Sequence, residues 1–243
     1  MNRVKLLLLS TCLLALSLGA SSTLYADTVV APNANTSTNA NSFQVFPVGE
    51  AAGGTIQIGI AASQLTSIVG QDIDAIGFRL PGGASSVASV TLTGFSLELS
   101  GSANPIGSLS STFASNIGAN PLTVDSGMLT LTGLVGGTGP NPFFLINFST
   151  PYLYTGGDLL ITERYTSSSD SQLGVDANNP PNSIVDTVGA FSSSSTTGTA
   201  QFFNAPVTEL VTTPAVPEPN SLMLLGTGIA GVAGMLRKRF FGK

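Results

Sequence analysis

Val90-Thr91-Leu92-Thr93-Gly94-Phe95-Ser96-Leu97-Glu98-Leu99 is the stretch on which the fold turns. Apolar residues recur at every second position, the period of a strand with one buried face. Leu92, however, has the opposite parity to Phe95, Leu97 and Leu99. One extra residue brings all four to the same side, so the spacing predicts a β-bulge or bend at Gly94. A strand of this kind needs a second apolar surface to lie against.

The chain on either side supplies it. Short runs rich in Thr, Ser, Val and Ile, punctuated by Gly or Pro at intervals of roughly 8 to 12 residues, predict further strands. These fall at Thr55 to Ile60, Ile73 to Leu80, Met128 to Leu134, Phe143 to Phe148, Asp158 to Tyr165, Ser183 to Val188, Ala200 to Phe203 and Val207 to Thr212. Leu65, Ile68 and Val69 recur at helical spacing before Gly70, which predicts one short helix over Ala61 to Val69. Asp27 to Ser42, rich in Asn, Thr and Ala, reads as a flexible N-terminus, and Ser167 to Pro181 and Ser192 to Thr199 read as long loops. The fold class is all-β: an antiparallel β-sandwich, jelly-roll-like, over residues 43–212. A signal helix is expected before it and a transmembrane helix after it.

The two ends read as transport devices. Arg3 and Lys5 precede the apolar run Leu6 to Leu18, and small residues follow up to Tyr25-Ala26, the pattern of a secretory signal peptide over 1–26. Cleavage after Ala26 is the first choice and after Ala20 the second. At the other end a Pro-rich linker, 213–221, leads to the apolar segment 222–236 and the basic tail 237–243. As a helix the 15 residues Leu222 to Leu236 reach about 22 Å, short of a hydrocarbon core of about 30 Å, so the fit is marginal. Arg237, Lys238 and Arg239 are a topology stop that keeps the C-terminus cytoplasmic. The body then lies across the membrane.

Composition narrows the chemistry. The only cysteine, Cys12, falls in the signal segment, so the mature chain has neither thiol nor disulfide. Between residues 27 and 219 the basic residues are Arg79 and Arg164, against all 13 acidic residues of the chain. Such a surface repels phosphate backbones, and no nucleic-acid partner is expected. With no histidine in the chain, Ser-His-Asp and Cys-His constellations are ruled out and no imidazole can ligate zinc. Glu98 and Glu163 are the pair a glycosidase would need, but sequence spacing does not set their separation, and exposed strand acids are ordinarily solvated. The expectation is a protein that is not an enzyme, with no catalytic residues.

No cofactor and no metal centre is expected. Calcium is the one ion whose oxygen ligands the chain can supply, from Asp170, Asp176, Asn178, Asn179 and Asp186 or from Asp72 with Asp74. The EF-hand order is absent, and Asp and Asn serve turns equally well. Tyr152 and Tyr154 can stack on sugar or pack the sheet.

Val216-Pro217-Glu218-Pro219, the apolar segment after it and the closing Arg-Lys-Arg resemble the PEP-CTERM protein-sorting signal of Gram-negative bacteria. The resemblance implies recognition of Pro217, Glu218 and Pro219 by an exosortase, a membrane enzyme that supplies its own catalytic residues. It implies export across the inner membrane, a membrane-anchored precursor, and delivery to the cell surface or extracellular matrix, with signal peptidase as the other processing partner. Because such tails accompany polysaccharide export, it also implies a structural or adhesive role in an exopolysaccharide or biofilm context. The alternatives are a carbohydrate-binding module or a secreted glycosidase. Segments Ile76 to Leu80, Thr112 to Gly118, Thr150 to Tyr154 and Gly157 to Ile161 are similar to a recurring domain of exported PEP-CTERM proteins. That likeness implies a β-sandwich and transfers no site residues.

Overall fold

The computed structural model describes residues 27–170, 173–201 and 204–214. In chain order the strands are β1 (Asp27–Ala31), β2 (Ser42–Gln44), β3 (Gly54–Ile60), β4 (Gln71–Arg79), β5 (Val87–Gly101), β6 (Leu122–Leu134), β7 (Phe143–Tyr154), β8 (Leu159–Tyr165), β9 (Ser167–Ser168), β10 (Val175–Asn178), β11 (Val185–Ala190), β12 (Thr199–Ala200), β13 (Ala205–Pro206) and β14 (Thr208–Pro214). The ladders between them are antiparallel. Helical structure among the described residues is confined to three-residue 3-10 turns.

The strands form three sheets. The largest runs β12-β11-β3-β8-β5-β6 with β9 beside β5, a second runs β1-β14-β4-β7, and a small one runs β13-β10-β2. One hydrophobic core joins them: Ile56, Ile58, Leu97 and Ile161 from the first, Ile76, Phe78, Ile146 and Leu210 from the second, Val175 and Ala205 from the third. The long strand behaves as its alternation requires. Its register against β6 shifts between Leu92 and Phe95, Gly94 takes φ 58°, and Leu92, Phe95, Leu97 and Leu99 are all buried in that core. A β-carbon at Gly94 would also meet the Thr166 side chain at 2.7 Å, so both conformation and space favour glycine.

Three expectations are corrected. Residues 27–42 are not a featureless tail: β1 pairs along its whole length with β14, from Asp27 opposite Thr212 to Ala31 opposite Thr208, and buries Val29, Val30 and Ala31. Among the described residues the folded unit therefore includes Asp27 to Pro214, taking in residues outside 43–212 and Thr213 and Pro214 of the expected linker. The helix over 61–69 is two 3-10 turns, Ala62–Gln64 and Thr66–Ile68, since three residues per turn place Leu65 and Ile68 inward as well as an α-helix does. The supposed loop 167–181 contains β9 and β10.

Among the described residues no helix is long and apolar enough to cross a membrane. The expected signal helix with Ala26, the motif Pro217 to Pro219, the segment 222–236 and the stop Arg237 to Arg239 lie outside the described residues.

Candidate functional site

Two places concern function: the corner from which the tail departs, and the face of the second sheet turned away from the core. At the corner, β14 lies between β1 and β4, so the last strand of the domain is an interior strand of its sheet. The Thr212 hydroxyl donates to the Asp27 carbonyl, and the Thr213 hydroxyl donates to Asp74. Asp27 and Thr212 thus lie side by side. Only Ala215 and Val216 separate Pro214 from Pro217, a reach of about 10 Å.

On the outward face, alternation puts Glu209 of β14, Gly77 and Arg79 of β4 and Phe143 of β7 together, because Glu209 pairs with Gly77 and Arg79 pairs with Phe143. Arg79, Phe143 and Glu209 floor an open groove of about 730 Å³, flanked by β1, Asn33 and Thr36, the turns around Gln64 and Ser67, and residues 140–142. Arg79 is 1% exposed. Its Nε and Nη2 donate to Asp176 Oδ2 at 2.9 and 2.8 Å, Nη2 also donates to the Thr38 carbonyl at 2.6 Å, and the guanidinium lies 5.0 Å from the centre of the Phe143 ring. Asp176 further accepts the Ala40 amide, so this ion pair ties the stretch before β2 to β4 and β10. Glu209 extends over Gly77, where an added β-carbon would come within 3.2 Å of its Oε2. Burial raises the Glu209 carboxyl above its ordinary value, while Arg79 pulls it down.

The glycosidase pair does not assemble. On the ladder between β5 and β8, Leu97 pairs with Glu163 and Glu98 with Thr162, so the two glutamates point to opposite faces of one sheet. Glu163 is 0% exposed, and neither carboxylate oxygen has a hydrogen-bond partner among the described residues. Burial pushes its carboxyl well above the ordinary value. Glu98 stands on the outer face near Arg164, holding the guanidinium's proton against the burial that weakens it.

The calcium candidates are dispersed. Asp176 is committed to Arg79, and Asp186 accepts the amides of Gly107, Leu109 and Thr187. Asn178 donates to Asn35, the Asn179 amide donates to Asn41, and Asp74 serves Thr213. Among the described residues no three His, Cys, Asp or Glu side chains gather as metal ligands. Tyr152 and Tyr154 are buried in the core, and the Tyr154 hydroxyl, pushed up to about 12 chiefly by burial, donates to the Gly157 carbonyl.

Arg79, Glu209 and Phe143 escape a reading of sequence. The one available signal is that Arg79 and Arg164 are the only cations between residues 27 and 219 of an otherwise acidic stretch. Arg164 lies 5.4 Å from the Phe113 ring centre and donates to the Ser193 and Ser195 carbonyls, holding the serine-rich loop against the domain.

Comparison with known families matches the PEP-CTERM protein-sorting motif to residues 215–239. The chain therefore carries the sorting motif of an exosortase substrate, the mark of an exported protein directed to the cell envelope, and the match begins at the residue after β14. No curated protein and no solved structure matches the chain.

Proposed function

We propose that this chain is a non-enzymatic β-domain of the Gram-negative cell surface or extracellular matrix, structural or adhesive among exopolysaccharide. It is exported behind the signal peptide 1–26, cut after Ala26, and held briefly by residues 222–236 with Arg237, Lys238 and Arg239 in the cytoplasm. An exosortase acting at Pro217, Glu218 and Pro219 then releases it. The observation that carries this reading is the adjacency of the matched motif to a closed domain: 215–239 follows β14 without a gap. Cleavage after Ala26 keeps all of the described strand β1, Asp27–Ala31. A cut at the motif likewise spares β14. The seven residues 215–221 reach about 25 Å at full extension, so the precursor holds its domain close to the bilayer, within reach of a membrane enzyme.

The non-enzymatic part draws support from the opposed orientations of Glu98 and Glu163. Replacing Pro217-Glu218-Pro219 by three alanines tests the sorting part. Full-length precursor accumulates in the membrane fraction if the motif directs processing, and unchanged release to the surface refutes it.

A further inference from the structure

We propose that the groove over Arg79 and Glu209 binds a neutral saccharide chain. The assignment deepens the adhesive reading given above, but it stands on the groove's own chemistry and not on the sorting tail.

The floor presents two polar groups with capacity to spare. Arg79 uses Nε and Nη2 on Asp176 and Thr38, and Nη1 makes no hydrogen bond to a described residue. Glu209 makes neither a hydrogen bond nor an ion pair with one, although it faces the same groove. Its carboxylate lies over Gly77, in room that a β-carbon would narrow. A fully charge-paired floor would have little left to offer a ligand. This one retains a donor and an acceptor on neighbouring strands.

The charge balance selects the ligand. Asp176 already neutralises Arg79, which leaves the floor with the negative charge of Glu209. Anionic ligands meet the charge of Glu209 and are repelled. A lone ammonium satisfies Glu209 but has no lone pair to offer Nη1. A hydroxyl both gives and takes a hydrogen bond, and a saccharide carries rows of them, so it answers both groups at once. The rim suits the same partner: the Thr28 and Ser67 hydroxyls line the groove beside the Phe143 ring, whose edge and face can cover sugar C–H groups. At about 730 Å³ and open to solvent, the groove admits a few sugar residues of a longer chain.

The test is titration of the purified full chain, in a detergent without a sugar headgroup, with neutral hexaoses of glucose, mannose and galactose and with a hexauronate. The proposal expects at least one neutral hexaose to bind with Kd below about 1 mM and the hexauronate to bind at least roughly tenfold more weakly. Glu209→Ala and, independently, Thr28→Trp, which fills the groove from the exposed face of β1, are each expected to weaken binding about tenfold or more with no loss of melting temperature. If every neutral hexaose fails to bind, if the hexauronate binds as well as they do, or if both variants bind like the parent, the proposal is overturned. Since the titration is indifferent to how the tail is processed, its failure leaves the alanine test of the sorting motif standing, and the reverse holds too.

Discussion

Arg79 is 1% exposed and spends two guanidinium nitrogens on Asp176 and the Thr38 carbonyl, whereas Glu163, equally buried in β8, has no partner for either oxygen among the described residues. Both are ionisable groups removed from water, which is costly for the charged form. Where the chain supplies a counter-charge, the group stays ionised and its partners tie three parts of the fold together. Where it supplies none among the described residues, as at Glu163 opposite Ile56 and Leu97, burial favours the protonated form. The outer side of the same sheet shows a third solution. There the Asn116 side chain donates to Gln57 Oε1 and the Ser110 carbonyl, and Gln57 donates to Thr162 and the Phe113 carbonyl, a buried network of neutral groups that seats residues 102–117 on the sheet. Polar burial here fixes loops, while the lone acid fixes nothing.

Four substitutions press on that contrast. The largest effect belongs to Asp176→Ala, which leaves Arg79 charged, buried and unpaired. A loss of about 3–5 kcal/mol in chemical denaturation is expected, and a loss under about 1 kcal/mol would show that the pair is ornamental. Asn116→Ala strands Gln57 and the Ser110 region, with an expected cost of about 1–3 kcal/mol. Proteolysis within 102–117 should rise with it.

Glu163→Gln concerns pH. In the fold burial holds the Glu163 carboxyl well above the ordinary value of 4.5, near which it ionises in the unfolded chain. Between those two values the folded state binds more protons, so stability is full below the unfolded value and falls as pH rises, by up to about 1.4 kcal/mol per unit. Burial shifts Asp186 and Glu209 in the same direction. The parent is therefore more stable at pH 5 than at pH 8, and Glu163→Gln flattens that slope. An unchanged slope would place the titration elsewhere. The smallest effect is expected of Met128→Ser, 75% exposed on the edge strand β6, within about 0.5 kcal/mol of the parent.

The strand architecture was legible because alternation and turn glycines are local signals. Gly94 is the clearest instance, since four apolar residues of mixed parity admit a common face only with a bulge. β1 was not legible. Asp27-Thr28-Val29-Val30-Ala31 is short and is followed by an Asn- and Thr-rich stretch, and its partner β14 lies some 180 residues away by number, Asp27 opposite Thr212. Arg79 was hidden for a related reason. It falls on the outward side of β4 with Ala75 and Gly77, and what covers it arrives from residues 38–40, 143 and 176. The sorting tail, by contrast, is a linear signal read by another protein, so the sequence itself is the site.

A closed β-domain carried between two removable transport segments is what we propose. Intact-mass analysis of the protein recovered from the cell surface tests it most directly, because it reads both ends of one molecule. The expected chain begins at Asp27 and ends at the Pro217 to Pro219 motif, without residues 222–243. A surface protein whose mass spans Met1 to Lys243 would contradict it.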